Sequence, residues 1–272
     1  MPLLSSIFVY PVKSLAGIQV SSWKVTEKGL LHDRKWMLID SNNQFLSQRR
    51  LPKMALIKTE LTESELILST ATSGCISVAL SPQDGTEIIS TIWKDQCLSK
   101  TISNEADQWL SNFLGLECKL VYQPDEVNRQ VDPVYASATD IVNFSDGYPF
   151  LITSEASLSS LNQAMGLHIP MLRFRPNLVI SQCDSYAEDS WRKISINNIG
   201  FRLPKPCSRC SVPTIDPETA QTGKEPLTTL NRIRKWNKHV YFGQNALHDN
   251  TGELTVKSKV SIIATGPNQP PL

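Results

Sequence analysis

Long apolar runs are missing from this 272-residue chain. None approaches the roughly 20 residues that span a bilayer, so no transmembrane helix is expected. A basic leader is missing too: Met1 to Val12 carries no n-region and breaks at Pro11 and Lys13, which argues against a secretory signal peptide. Neither charge sign is in excess, with 27 Lys and Arg against 26 Asp and Glu and a net charge of +1. That balance gives no electrostatic reason to expect nucleic acid or a membrane surface as the main partner. Cysteine is sparse and scattered, at positions 75, 97, 118, 183, 207 and 210. This is not the framework of a small disulfide-stapled secreted domain, and the reducing cytoplasm is the expected compartment. Internal repeats and low-complexity tracts are absent. What remains, 40% hydrophobic and 19% charged, is an ordinary globular composition with length for one large domain or two modest ones.

The first hundred residues read as antiparallel β. Arg34–Asp40 and Gln44–Arg50 flank the turn Ser41-Asn42-Asn43, and Met54–Leu61 and Leu66–Thr70 flank Glu63-Ser64-Glu65. Cys75–Leu80 and Glu87–Trp93 flank Ser81-Pro82-Gln83-Asp84-Gly85. Between Ser103 and Gly115 the period changes: Ala106, Trp109, Leu110, Phe113 and Leu114 follow helical spacing, with Gly115 as the stop. Residues 124–147 are polar and irregular, the pattern of a linker or functional loop. A strand at Pro149–Ile152 runs into a helix opening with Thr153-Ser154-Glu155 and closing near Gly166, whose first amides are able to hold an anion. Leu172–Ile180, Trp191–Ile196 and Gly200–Leu203 read as strands, Leu227–Trp236 as a short helix, and Val240–Ala246 and Leu254–Ile263 as a final pair. The fold class is therefore β-rich α+β with few helices, closer to barrels than to a doubly wound parallel sheet.

The chemically densest stretch is Lys205-Pro206-Cys207-Ser208-Arg209-Cys210-Ser211-Val212-Pro213-Thr214-Ile215-Asp216-Pro217. Its prolines exclude a helix and favour presentation of the sulfurs. A guanidinium next to a thiol favours the thiolate, the form that binds soft metals and attacks electrophiles. Four interpretations compete. The two cysteines are turn packing; or half of a structural zinc site, which lacks a second pair and finger-spaced histidines; or a thioredoxin-like dithiol, whose helix Pro213 and Pro217 would break. The fourth is a single thiolate ligand to a soft redox metal held otherwise by a cofactor. Asp216, before Pro217, is a candidate proton carrier or the cap of an Asp-Pro turn. Cations elsewhere include Lys13-Ser14, Arg34, and Arg173 and Arg175, which would share one face of a strand. If they converge, they suit a phosphorylated, strongly hydrogen-bonding ligand.

The ordered motifs carry a resemblance. Tyr10-Pro11-Val12-Lys13-Ser14, Gly17, Gly29-Leu30, Asp33-Arg34 and Trp36 resemble the N-terminal β-barrel module of the molybdenum cofactor sulfurase C-terminal family, MOSC. Arg175-Pro176-Asn177, Cys183-Asp184, Ala187-Glu188-Asp189-Ser190-Trp191, Pro206 to Cys210 and Phe242-Gly243-Gln244 resemble its MOSC module. Within the family the chain is most similar to the mitochondrial amidoxime-reducing component and its bacterial relatives.

The resemblance implies an N-terminal β-barrel module over residues 1–122 packed on a MOSC β-barrel over residues 123–272. It implies a molybdenum–molybdopterin cofactor with Cys210 as the protein ligand to molybdenum. Lys13, Ser14, Arg34, Arg175 and Asn177 would line its phosphate and pterin, Ser208 and Arg209 would contact it from the cysteine loop, and Asp146, Gly147 and Tyr148 would lie opposite, with Asn245 on a late strand. The implied activity is reduction of N-hydroxylated compounds (amidoximes, hydroxylamines, N-hydroxylated bases) by an oxidoreductase. The alternatives are a cofactor carrier or sulfur-transfer protein using Cys207 or Cys210, and a β-rich binding domain that has lost cofactor. Pro213-Thr214 stands where the family usually has two threonines, and Ala220 where it usually has glycine. With no cysteine after Cys210, no plant-type ferredoxin domain is expected downstream, and no membrane anchor upstream. Electrons would then come from a separate ferredoxin-like or flavoprotein donor, for which Arg232, Arg234, Lys235 and Lys238 form a candidate docking segment.

Overall fold

The large sheet of the protein joins its two ends. In this computed structural model, which describes all residues except 81, 83 and 272, the strand order is Ile18–Val20, Leu3–Val9, Leu178–Ser181, Phe150–Ser154, His239–His248, Ile199–Ser208, Trp191–Ile196 and Val260–Thr265, with Lys235–Trp236 added on His239–His248. The N-terminal strand, whose pairing no local pattern announces, lies antiparallel to Leu178–Ser181. A second long-range sheet sets Ser22–Thr26 between Gly29–Leu30 and Gly252–Thr255. Leu4, Ile7, Phe150, Ile152, Leu178, Ile194, Phe201 and Leu254, all fully buried or nearly so, form the core of this half.

A smaller β-barrel-like module occupies the middle of the first half. Its four-stranded sheet runs Trp36–Asp40, Cys118–Tyr122, Asp95–Thr101, Glu87–Ile92, and its three-stranded sheet Lys58–Leu61, Glu65–Thr70, Gly74–Ala79. Helix α1 (Asn104–Leu114) closes it, packing Ala106, Leu110 and Phe113 onto Trp36, Leu38 and Leu66. Its ends are those expected: the Ser103 hydroxyl accepts the Ala106 amide at 3.2 Å, and Gly115 turns out at φ 77°. The architecture is β-rich α+β.

Helix α2 (Glu155–Met165) is the crossover between Phe150–Ser154 and Leu178–Ser181, the parallel pair of the large sheet. Its N-terminus faces a carboxylate. The fully buried Glu188 already lies there, accepting the Ser154 amide at 3.2 Å and the Ser157 hydroxyl at 2.8 Å.

Several segments depart from the sequence expectations. Gln44–Arg50 returns only briefly: Gln44–Leu46 pairs back on Leu38–Asp40. A turn follows in which the Ser47 carbonyl accepts both the Arg50 and Leu51 amides at 3.0 Å, while Gln48 is buried and donates to the Ser14 carbonyl. Met54–Leu61 begins as a 3-10 turn (Pro52–Leu56) before its strand. Leu172–Ile180 is likewise split, with a 3-10 turn at Met171–Phe174 and a strand only from Leu178. Arg173 and Arg175 therefore do not alternate on a strand, and Arg175 caps the turn at φ 55°. The expected helix Leu227–Trp236 ends as α3 at Ile233 (Leu227–Ile233) because Lys235–Trp236 joins the sheet. Leu254–Ile263 is two strands, and the Gly200–Leu203 strand extends to Ser208, carrying the cysteine motif onto the sheet. Of the turn at 81–85, Ser81 and Gln83 lie outside the described residues.

Candidate functional site

The site is built where the segment after the N-terminal strand meets the turn before Leu178–Ser181. Tyr10 is 1% exposed and lies under two guanidinium groups, Arg34 at 4.4 Å and Arg175 at 4.2 Å from its ring centroid. Arg34 pairs with the buried Asp33 and donates to the Asn177 carbonyl oxygen at 3.1 Å. Asn177, 2% exposed, also accepts the Leu151 amide and donates to the Phe8 carbonyl, so it fixes three segments at once. Arg175 donates to the Leu15 carbonyl at 2.6 Å. Burial, with Arg34 adding to it, pulls the Arg175 guanidinium down to about 10.

Lys13 continues the cluster. It is 5% exposed, donates to the Phe144 carbonyl at 2.8 Å, and pairs with Asp146. Burial draws its ammonium below the ordinary lysine range. The Arg34 carbonyl accepts the Phe144 amide at 2.9 Å, so Lys13 and Arg34 are tied through one residue. Burial opposes the charge on Asp146, but Lys13 and Arg49 outweigh it and hold that carboxyl well below the usual range. Ser14 takes φ 67°, a left-handed turn fixed by the Gln48 bond to its carbonyl.

The cysteine motif reaches the same cluster through Arg209. This guanidinium donates to the Phe174 carbonyl, next to Arg175, at 2.8 Å, and to the Cys207 sulfur at 3.0 Å. The cation expected beside the thiols thus sits on Cys207. Cys210 follows, half-buried, and its sulfur meets no hydrogen-bond partner among the described residues. Ser208 is exposed and pairs with Tyr241 across the strands. Asn245 donates to the Pro206 carbonyl at 3.3 Å, holding the strand that leads into the motif.

Other expected residues face elsewhere. Tyr148, beside Gly147, packs toward Val131, Val142 and Leu247, where burial pushes its phenol up. The Asp216 carboxylate accepts the Glu218 and Thr219 amides at 3.0 and 3.1 Å and pairs with Arg173 at 2.7 Å. Partial burial works against its charge, but these three donors hold it below the usual carboxylate range, and the geometry is that of a turn cap. Ala220 closes that turn at φ 58°, where the glycine of the resembling family would be unstrained.

Donors outnumber acceptors in this cluster. Tyr10 Oη, Arg173 Nε, Arg175 Nη2 and Arg209 Nε are buried and find no partner among the described residues. Tyr10, Arg173 and Arg175 line one small cavity, about 70 Å³, with Gly17, Gln48, Lys58 and Ile215. A Cβ on Gly17 would meet the Tyr10 ring at 2.4 Å, so only glycine leaves that ring in place. Glu218 lines the same cavity, but it, Asp33, Asp146 and Asp216 are each already paired with a cation. The remaining buried donors fit an anionic, hydrogen-bonding group such as the phosphate of a pterin cofactor. Among the described residues no group of three His, Cys, Asp or Glu side chains is placed to hold a metal ion by itself, so a metal here would take most of its ligands from a cofactor. Tyr10 and Gly17 entered the sequence reading only as motif residues, with no assigned role, because only the fold brings them beside Arg173 and Arg175.

The comparisons agree with the motifs. The MOSC N-terminal beta barrel domain matches residues 1–117 and the MOSC domain residues 139–261. The chain is 31% identical to mitochondrial amidoxime-reducing component 1 from Mus musculus over 279 residues, covering 96% of this chain and 82% of that protein. The Homo sapiens protein of the same name matches equally, at 31% over 278 residues with the same coverage. Molybdenum cofactor sulfurase from Danio rerio is 32% identical over 275 residues, covering 93% of this chain but 32% of the sulfurase, so the chain spans about a third of that longer protein. With both family domains in order and near-complete alignment to these relatives, the chain belongs to the MOSC family.

Proposed function

We propose that the protein is a molybdenum-cofactor-dependent reductase of N-hydroxylated compounds, with Cys210 as the protein ligand to the metal. The observation that carries this reading is the convergence of Lys13, Arg34, Arg175 and Arg209, with their orphan donors, beside the cysteine motif. The family names of the relatives supply the cofactor class. When bound, the cofactor supplies the redox chemistry, with the overall balance R–NHOH + 2e⁻ + 2H⁺ → R–NH₂ + H₂O. Lys13, Arg34, Arg175 and Arg209 would hold its anionic end. Asn177 orients Arg34, and the Asp216 turn orients Arg173. Electrons come from a separate ferredoxin-like or flavoprotein donor, and the unpaired six cysteines suit a cytoplasmic setting. No described helix is long and apolar enough to cross a membrane.

A second reading, sulfur transfer or cofactor carriage, is favoured by one contact: the Arg209 guanidinium against the Cys207 sulfur at 3.0 Å, a cation placed on the atom that would carry the transferred sulfur. Elemental analysis and pterin detection on protein from a cofactor-competent host separate the two. Under the reductase reading wild-type protein holds molybdenum, Cys210→Ala loses metal and turnover, and Cys207→Ala keeps both in part. Equal loss in both variants overturns the single-ligand assignment, and a persulfide on Cys207 in metal-free wild-type protein establishes the second reading.

A further inference from the structure

The hairpin of Glu87–Ile92 and Asp95–Thr101 turns on Trp93-Lys94. Trp93 has φ 57°, a left-handed conformation that is strained for a bulky residue and that glycine would adopt freely. It also leaves the indole 47% exposed. Strain and exposure together at one large aromatic point to a use outside the core.

The indole is nevertheless held on three sides. Its N–H donates to Asp146 Oδ1 at 3.2 Å, the Arg49 guanidinium covers one side at 4.3 Å from the ring, and Phe45 meets it edge-on at 4.8 Å. Arg49 also bonds Asp146 at 3.2 Å, and Lys13 lies 5.3 Å above Phe45. Lys13, Trp93 and Arg49 therefore converge on the Asp146 carboxylate at the edge of the cation cluster, with Phe45 packed against Trp93 and Lys13. Asp146 joins this hairpin to the cation cluster through its pair with Lys13. Arg129 clamps the hairpin from below, pairing with Asp95 at 2.8 Å and donating to the Ser145 carbonyl at 2.5 Å.

We propose that the exposed indole of Trp93 is a stacking platform at the mouth of the site, selecting planar, conjugated N-hydroxylated substrates over small saturated ones. The inference rests on the reductase reading and names its preferred substrate class. A ring already immobilised by Arg49, Phe45 and Asp146 loses little freedom when a flat ligand stacks on it. Amidoximes and N-hydroxylated aromatic bases present such a flat face; a dialkylhydroxylamine does not. Trp93 is a specificity residue here and takes no part in proton or electron transfer.

The test compares benzamidoxime with N,N-dimethylhydroxylamine on holoenzyme, for wild type, Trp93→Ala and Trp93→Phe. Stacking of this kind corresponds to a fall in kcat/KM for benzamidoxime of about tenfold in Trp93→Ala, through KM, with most of it regained in Trp93→Phe. For the hydroxylamine the fall stays within about twofold. Fluorescence titration gives a second readout: benzamidoxime quenches wild-type protein saturably, and the quench is lost in Trp93→Phe. Equal falls for both substrates, no fall for either, or a quench that survives in Trp93→Phe overturns the platform. A saturable Trp93-dependent quench with no turnover of either substrate keeps the platform and overturns the reductase reading instead.

Discussion

The Lys13 ammonium and the Asp146 carboxylate form an ion pair across 133 residues of chain. The two partners are unequally placed, with side-chain exposure of 7% for Lys13 and 57% for Asp146. Removing the carboxylate strands a buried cation on one carbonyl, whereas removing the ammonium leaves Asp146 with Arg49, Trp93 and water. Asp146→Asn is expected to lose about 1–3 kcal/mol of stability and Lys13→Met under about 1. Urea denaturation of both variants checks the order, and a larger loss for Lys13→Met would refute it.

Gly17→Ala tests the Tyr10 seat. The added methyl has to displace a fully buried ring that lies under two guanidinium groups, an overpacking change of about 1–3 kcal/mol. Tyr10→Leu in the same chain removes the clash. The double variant should therefore be more stable than the sum of the single losses, and strict additivity in thermal melts would show that the ring moves freely.

The basic segment after α3 splits into two classes. Arg234 is 6% exposed, pairs with Asp189 and lies 4.1 Å from the Tyr186 ring, so it is not part of any docking surface. Arg234→Met should destabilise by about 3–5 kcal/mol, as breaking a buried pair does. Lys235 and Lys238 are exposed beside Trp236, itself 40% exposed. Lys235→Glu with Lys238→Glu should leave the melting temperature and turnover with a chemical reductant near wild type, while slowing turnover with an acidic ferredoxin at low salt. A matched response in both assays removes the docking role.

Acid stability has a named contributor. Burial, with Lys35 adding to it, lowers His32 from 6.5 to about 4. The unfolded chain binds a proton below about 6.5 that the folded state refuses until about 4, so stability rises with pH across that window. His32→Asn, which tolerates the φ of 65° at this position, should reduce the difference in urea midpoint between pH 5 and pH 7. Some slope will remain, since burial also lowers His248. An unchanged slope would assign the effect elsewhere.

Where local chemistry decides structure, the sequence was legible: Ser103 and Gly115 bound α1, as their capping chemistry predicts. The sequence also named the separated cations and the cysteine motif as site candidates, but whether they meet depends on contacts across the chain. What failed were inferences that ran along the chain when the deciding contact lay across it. Arg175 looked like a strand residue, but its place over Tyr10 and its bond to Leu15 favour the left-handed turn. Arg234 looked like one more surface cation because Asp189, its partner, is 45 residues away. Trp93 read as a strand end, and only the hairpin geometry exposes it.

The pairing of Leu3–Val9 with Leu178–Ser181 has a consequence during synthesis. Leu3–Val9 is synthesised some 170 residues ahead of its partner, as the Ser5 hydroxyl bond to the Val179 carbonyl, 174 positions apart, makes plain. Ser22–Thr26 waits longer still, for Gly252–Thr255. A nascent chain carries open strand edges until Gly252–Thr255 has been made, which slows folding and exposes it to aggregation. Fragments cut between the two family domains would keep those edges unpaired, so neither domain completes its sheets without the other.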